Sequence, residues 1–203
     1  MSVLLIIPAF NEEASIENVV DNIKNNFPQY DYVIINHGAT ILDKNNNILI
    51  NFPIKNEIIP HIKNDLQLEK SIKGFCCSEL ESRVDFNHQN LTKINVKYNS
   101  REEAMRINKI INDKYSNYVV SYFVNTNSIE IISNQTNKSN AINILIERLG
   151  LSKDDIYTIG DGYSDIDMIK DFNGYAIKDS VEELKQVSIK EYESVSDLIN
   201  DML

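Results

Sequence analysis

The chain has 203 residues, 42% of them hydrophobic, enough for one core or for a core domain carrying a small insert. Thirty acidic residues against twenty basic ones leave a formal net charge of -10. That balance excludes binding to a nucleic-acid backbone through a broad Lys and Arg surface, and an anionic substrate would need a local lysine or a bound cation. The opening run Val3-Leu4-Leu5-Ile6-Ile7 is too short to span a bilayer and lacks the basic start and cleavage site of a signal peptide. No later stretch is apolar enough either, so a soluble, cytoplasmic protein with no membrane partner is expected. Cys76 and Cys77 are adjacent, which suits neither zinc-ligand spacing nor a disulfide framework; they read as strand packing in a reducing cytosol. His37, His61 and His88 are scattered, without metal-ligand spacing, and read as surface or loop residues.

The β-branched run at 3–7, closed by Pro8, predicts a central parallel strand. Asn11, Glu12, Glu13 and Ser15 then supply a cap and an acidic first turn for a helix whose Ile16, Val19, Val20 and Ile23 recur at helical spacing. Asp31-Tyr32-Val33-Ile34-Ile35 reads as a second buried strand, and the strand-helix-strand spacing predicts a parallel pair with a right-handed crossover. The polar turn Asp43-Lys44-Asn45-Asn46-Asn47 between the apolar pairs Ile41-Leu42 and Ile48-Leu49 predicts a hairpin. From 53 to 136 the pattern changes: a helical run at 56–66, alternating strands at 71–86 and 91–98, an amphipathic helix at 100–115 that Ser100-Arg101-Glu102-Glu103 opens with an N-cap and an acidic first turn, and strands at 118–124 and 128–132. Polar alternation there predicts an antiparallel α+β module with one solvated face. A helix at 139–149 ending on Gly150, a strand at Ile156, a short strand Tyr175-Ala176-Ile177 and a helix at 195–202 return to strand-helix alternation. The expected architecture is α/β: a doubly wound, parallel, Rossmann-like sheet core from 1–52 and 137–203, with the α+β module 53–136 inserted.

The stretch that carries chemistry is Ile156-Tyr157-Thr158-Ile159-Gly160-Asp161-Gly162-Tyr163-Ser164-Asp165. A buried strand ends at Gly160, and Asp161 and Asp165 flank a glycine-relieved turn before a helical pattern resumes. Two hard carboxylates at the carboxyl end of a strand suit a Mg2+ that keeps several waters and meets a substrate phosphate. The plainer alternative makes Asp161 a turn former and Asp165 a helix starter.

With Ile166-Asp167-Met168-Ile169 behind it, this stretch resembles the acidic fourth motif of the haloacid dehalogenase superfamily, in its Cof-type branch (subfamily IIB) of sugar-phosphate phosphatases. Ile129-Glu130-Ile131-Ile132 running to Lys138, followed by Ala141-Ile142 and Leu145, is similar to the third motif of that branch. Asn36-His37-Gly38-Ala39 resembles its Asn-Gly-Ala loop, and Asn173-Gly174-Tyr175-Ala176-Ile177 and Val181 to Lys185 also match, so the similarity spans about 34–203. The resemblance implies a Mg2+-dependent phosphohydrolase acting on a sugar phosphate or other small phosphorylated metabolite. Asp161 and Asp165 would hold the metal, Lys138 would be the catalytic cation that steadies the phosphoryl charge, and 53–136 would be the substrate-selecting cap. Asn11, Asn36, Gly38 and Lys138 would contact substrate.

Residues 3–38 carry a second resemblance. Ile7-Pro8-Ala9-Phe10-Asn11-Glu12-Glu13 is similar to the nucleotide-sugar loop at the start of family-2 glycosyltransferases, which then continue with an acidic Asp-Gly-Ser loop where this chain has Asn36-His37-Gly38-Ala39-Thr40. In the phosphatase family the attacking Asp stands on the loop after the first strand, with a second Asp two residues on as acid and base. Pro8-Ala9-Phe10-Asn11 offers no Asp there, and the family's second-motif Ser or Thr is unmatched. An impaired phosphohydrolase is therefore expected, with a noncatalytic phosphate- or metabolite-binding protein and a glycosyltransferase fragment as alternatives.

Overall fold

A computed structural model of the chain describes residues 4–6 and 31–202. The expected helix after the first strand, with Asn11, Glu12 and Glu13, lies outside the described residues. In chain order the strands and helices are β1 (Leu4–Ile6), β2 (Tyr32–Ile35), β3 (Thr40–Asp43), β4 (Ile48–Asn51), α1 (Ile59–Asp65), β5 (Ser71–Cys77), β6 (Ser82–Val84), β7 (Lys93–Tyr98) and α2 (Arg101–Tyr115). There follow β8 (Val119–Val124), β9 (Ser128–Ser133), α3 (Lys138–Leu149), β10 (Ile156–Gly160), α4 (Ile166–Asp171), β11 (Asn173–Ile177), α5 (Glu182–Lys185), β12 (Glu191–Tyr192) and α6 (Val195–Met202). The chain divides into two compact units, Met1–Pro8 with Lys138–Leu203, and Ala9–Asn137. This grouping places β2 to β4 with residues 53–137, whereas the sequence reading drew its boundary at 52.

The first unit is a parallel sheet in the order β1-β10-β11-β12. Ile156, Thr158 and Ile159 are buried along β10. On α3, Ala141, Ile142, Leu145 and Ile146 form the apolar stripe that a helix needs to pack against its neighbours. Backbone approach between α4 and β11 demands glycine: a Cβ on Gly174 would lie 2.1 Å from the Ile169 carbonyl oxygen. Thr158 reinforces the same packing by donating its hydroxyl to the Met168 carbonyl at 3.2 Å.

The predicted pairing of the first two strands is corrected here. β1 runs parallel to β10, while β2 pairs antiparallel with β3 in a three-stranded sheet β2-β3-β4. Local chemistry explains the second part, because a tight turn sends the chain straight back and Asp43 then closes the next hairpin. One Asp43 carboxylate oxygen accepts from the backbone N–H of Asn45 and of Asn47 at 2.8 and 2.9 Å. Burial on β2 alternates, with Val33 and Ile35 inside, as a strand with two unlike faces should.

The second unit is completed by an antiparallel sheet in the order β6-β5-β7-β9-β8, with α2 packed on it and α1 packed against α2. Ile62, Leu66, Ile94, Val96, Ile107, Ile111, Ile129 and Ile131 are fully buried in its core. Ser100 caps α2 by accepting from the Glu103 N–H at 3.2 Å, as the Ser-Arg-Glu-Glu sequence predicts. Cys76 and Cys77 lie buried on β5. Among the described residues no helix is long and apolar enough to cross a membrane.

Candidate functional site

The acidic turn forms where β10 stops. Gly160 has to be glycine, since a Cβ there would lie 2.6 Å from the Asp165 Cβ and 2.9 Å from its Oδ2. The chain turns through Asp161 and Gly162 into a short 3-10 turn, Tyr163–Asp165, that leads into α4. Asp165 is buried and closes the turn: its Oδ2 accepts from the backbone N–H groups of Asp161 and Gly162, both at 3.1 Å. Its other oxygen, Oδ1, accepts from Lys138 Nζ at 2.6 Å. The two residues the sequence singled out from segments 27 positions apart are thus in contact.

Charge is distributed unevenly over this cluster. Burial pushes the Asp165 carboxyl up, but the Lys138 ammonium and the two backbone donors outweigh it and hold the group below the usual carboxylate range. Asp161 goes the other way. Burial first, and then the negative charge of Asp165, push it up to about 6, against the opposing pull of Lys138. The cluster therefore holds one committed carboxylate, one ammonium, and a second carboxylate that gains from any cation placed beside it.

Among the described residues no three His, Cys, Asp or Glu side chains are placed to hold a metal ion. Two carboxylates alone fit a Mg2+ that keeps most of its water and takes further oxygens from a phosphate, and do not fit a fully protein-ligated Ca2+ or Zn2+. Asp165 has its oxygens engaged by Lys138 and the backbone, so Asp161 is the carboxylate with the greater capacity for such an ion.

Asn36 and Gly38 belong to the other unit. The Asn36 amide donates to the Ser78 carbonyl at 3.3 Å and to Thr92 Oγ1 at 2.9 Å, and the Gly38 carbonyl accepts from Thr136 Oγ1 at 2.9 Å. Asn36, His37 and Gly38 are all left-handed, with φ of 52°, 56° and 97°, a run that only strong local contacts sustain. His37 is buried, which corrects the surface reading: its Nε2 hydrogen-bonds Glu130 Oε2, and its ring stacks on Tyr122 with centroids 5.8 Å apart. Asn95 and Tyr122 flank Glu130 in register across β7, β9 and β8, and Asn95 Nδ2 and Lys93 Nζ approach Glu130 Oε1 at 2.7 and 3.5 Å. This buried polar cluster escaped the sequence reading because alternating polar residues in strands look the same whether the face meets water or protein. Ser139 and Asp171, hydrogen-bonded side chain to side chain beside Lys138, also escaped it.

A parallel sheet whose strand end carries an acidic turn and an answering lysine, together with a separate antiparallel α+β unit, defines an α/β protein of two units. The chain belongs to the haloacid dehalogenase-like hydrolases: a model of that family matches residues 75–197. A Buchnera aphidicola protein that carries the provisional name of a phosphatase is 22% identical over 201 residues, covering 83% of this chain and 75% of its own. An uncharacterized Mycoplasma capricolum protein is 30% identical over 182 residues, covering 73% and 67%. The fold is shared with a haloacid dehalogenase-like hydrolase from Bacteroides thetaiotaomicron, at TM-score 0.74 and 13% identity over 91% of this chain and 82% of that one. A sugar phosphatase of subclass IIB has the same fold, with TM-score 0.74, 13% identity and coverage of 91% and 80%.

Proposed function

We propose that this chain is a cytoplasmic, Mg2+-dependent phosphohydrolase of the Cof type whose ligand is a sugar phosphate or another small phosphorylated metabolite, and that its turnover is impaired. The observation that carries the reading is the Lys138 ammonium 2.6 Å from Asp165, on the turn that also presents Asp161. In this arrangement Asp165 orients the lysine and closes the turn, Lys138 meets a phosphoryl oxygen, and Asp161 holds the ion. Bound Mg2+ would polarise the phosphoryl group and neutralise its charge. Residues 53–136 serve as the cap that selects the ligand.

The sheet order and the sequence after β1 support the reading of impaired turnover. β1 lies beside β10 in parallel, Leu4 opposite Ile156 and Ile6 opposite Thr158, so its carboxyl end is on the same edge as Asp161. The family's attacking Asp would follow such a strand, yet residues 8–13 read Pro-Ala-Phe-Asn-Glu-Glu. Loss of a placed nucleophile lowers turnover by on the order of 10^4 to 10^6. The glycosyltransferase-like stretch contributes no described residue to this cluster.

Hydrolysis of p-nitrophenyl phosphate with Mg2+, by the chain and by Asp161→Ala, tests the catalytic claim; equal rates would remove it. The missing Asp favours a second reading, a noncatalytic binder using the same cluster. In that case orthophosphate or a phosphosugar with Mg2+ raises the melting temperature through linkage without being consumed. The absence of a shift with any of these ligands counts against both readings.

A further inference from the structure

Lys138 is the first residue of α3, and nothing in a helix start fixes where a long, flexible side chain points. Its reach depends on how the first turn of α3 is held against the segment that carries Asp165. That segment continues directly into α4, whose last residue is Asp171. The residue after Lys138, Ser139, is buried and donates its hydroxyl to Asp171 Oδ2. Lys138 reaches Asp165 Oδ1 at 2.6 Å. Two adjacent residues of one helix are therefore fastened to the two ends of the next, the lysine to the residue before α4 and the serine to its last.

We propose that Asp171 is a positioning residue for Lys138: by holding Ser139 it fixes the first turn of α3, so that the ammonium stands over the acidic turn when a phosphate arrives. The proposal rests on the phosphate role given to Lys138 above. An acceptor at the end of α4 is what the geometry requires, and a negative charge near a helix start is favourable in its own right. The clamp acts on the lysine, whereas Asp165 keeps the backbone N–H groups of Asp161 and Gly162 as donors without it, and Asp161 follows directly on the end of β10. Phosphate affinity and metal affinity should therefore respond differently to its loss, which general loosening of the unit would not produce.

The test uses the full chain with Ser139→Ala, Asp171→Ala, the double variant and Asp171→Asn. Orthophosphate binding in the presence of Mg2+ is measured by calorimetry, and Mn2+ binding without phosphate by the free-ion paramagnetic resonance signal. Each alanine variant is expected to weaken phosphate binding about tenfold, the usual scale for removing a residue that orients a ligand-binding group. The double variant should be no weaker than the singles, since both remove one link. Asp171→Asn, which keeps a carbonyl acceptor for the Ser139 hydroxyl, should bind phosphate within about twofold of the parent, and Mn2+ affinity should stay within about twofold throughout. Unchanged phosphate affinity in the alanine variants, additive losses, or equal weakening of phosphate and Mn2+ would overturn the proposal. Should Asp171→Ala fail to fold, Ser139→Ala and Asp171→Asn carry the same comparison. If the parent chain itself does not bind orthophosphate with Mg2+, and Lys138→Ala is indistinguishable from it, the phosphate role of Lys138 falls and the positioning role with it.

Discussion

Replacing Asp161 by Asn should stabilise the metal-free protein at neutral and alkaline pH. Burial and the neighbouring Asp165 raise the Asp161 carboxyl from 3.8 to about 6 in the folded chain. Below 3.8 folded and unfolded states both hold the proton, and the group costs nothing. Between 3.8 and about 6 the unfolded chain has released its proton while the folded chain keeps it, so stability falls as pH rises; above about 6 the whole penalty is present. At about 1.4 kcal/mol per pH unit, that interval amounts to roughly 2 to 3 kcal/mol once the partial exposure of Asp161 is allowed for. An amide carries no such penalty and can donate to Asp165. Urea unfolding in EDTA from pH 4 to 8 should therefore show the variant within about 0.5 kcal/mol of the parent at pH 4 and about 2 to 3 kcal/mol more stable at pH 8. Added Mg2+ at pH 8 should stabilise the parent and leave the variant unmoved. A variant that is destabilised equally at both pH values would refute the reasoning, because the raised pKa would then have no energetic consequence.

Lys138→Met leaves the buried Asp165 carboxylate without its ammonium and should cost about 3 kcal/mol at neutral pH. The Asp165 carboxyl is held below its usual range, so this contribution is present at neutral pH and lost in acid; the gap between parent and variant should close as the pH falls, as read by urea unfolding. Gly160→Ala puts a methyl 2.6 Å from the Asp165 Cβ and should abolish the orthophosphate-induced rise in melting temperature by displacing the carboxylate that holds Lys138. Glu130→Ala removes the carboxylate shared by His37, Lys93 and Asn95 and should cost about 3 to 5 kcal/mol in chemical unfolding, more than Glu130→Gln, which keeps an acceptor oxygen.

Much of the fold is legible along the chain because local chemistry dictates it. The Asp43 hairpin, the Ser100 cap and the glycine-closed acidic turn each rest on contacts within a few residues, and each stands where the sequence places it. Strand partners are another matter. Val33 and Ile35 mark β2 as a buried strand without saying which strand lies beside it, and the expected parallel pairing gave way to an antiparallel one with β3. His37 reads as a surface or loop residue in sequence, yet it is buried in a short 3-10 turn against Glu130, joining positions 93 residues apart.

By itself, then, the sequence marked the residues proposed to bring chemistry: two carboxylates at a strand end and a lysine at a helix start, with no Asp after the first strand. Hydrogen-bonding and turn preferences act over a few residues, and the side-chain inventory is there to be read. Only the tertiary structure decided that Lys138 spends its charge on Asp165, that Asp161 is left with the raised pKa, and that Asp171 grips the residue next to the lysine. These depend on burial and on angstrom-scale distances between segments remote in the chain, which packing sets and local preference cannot encode.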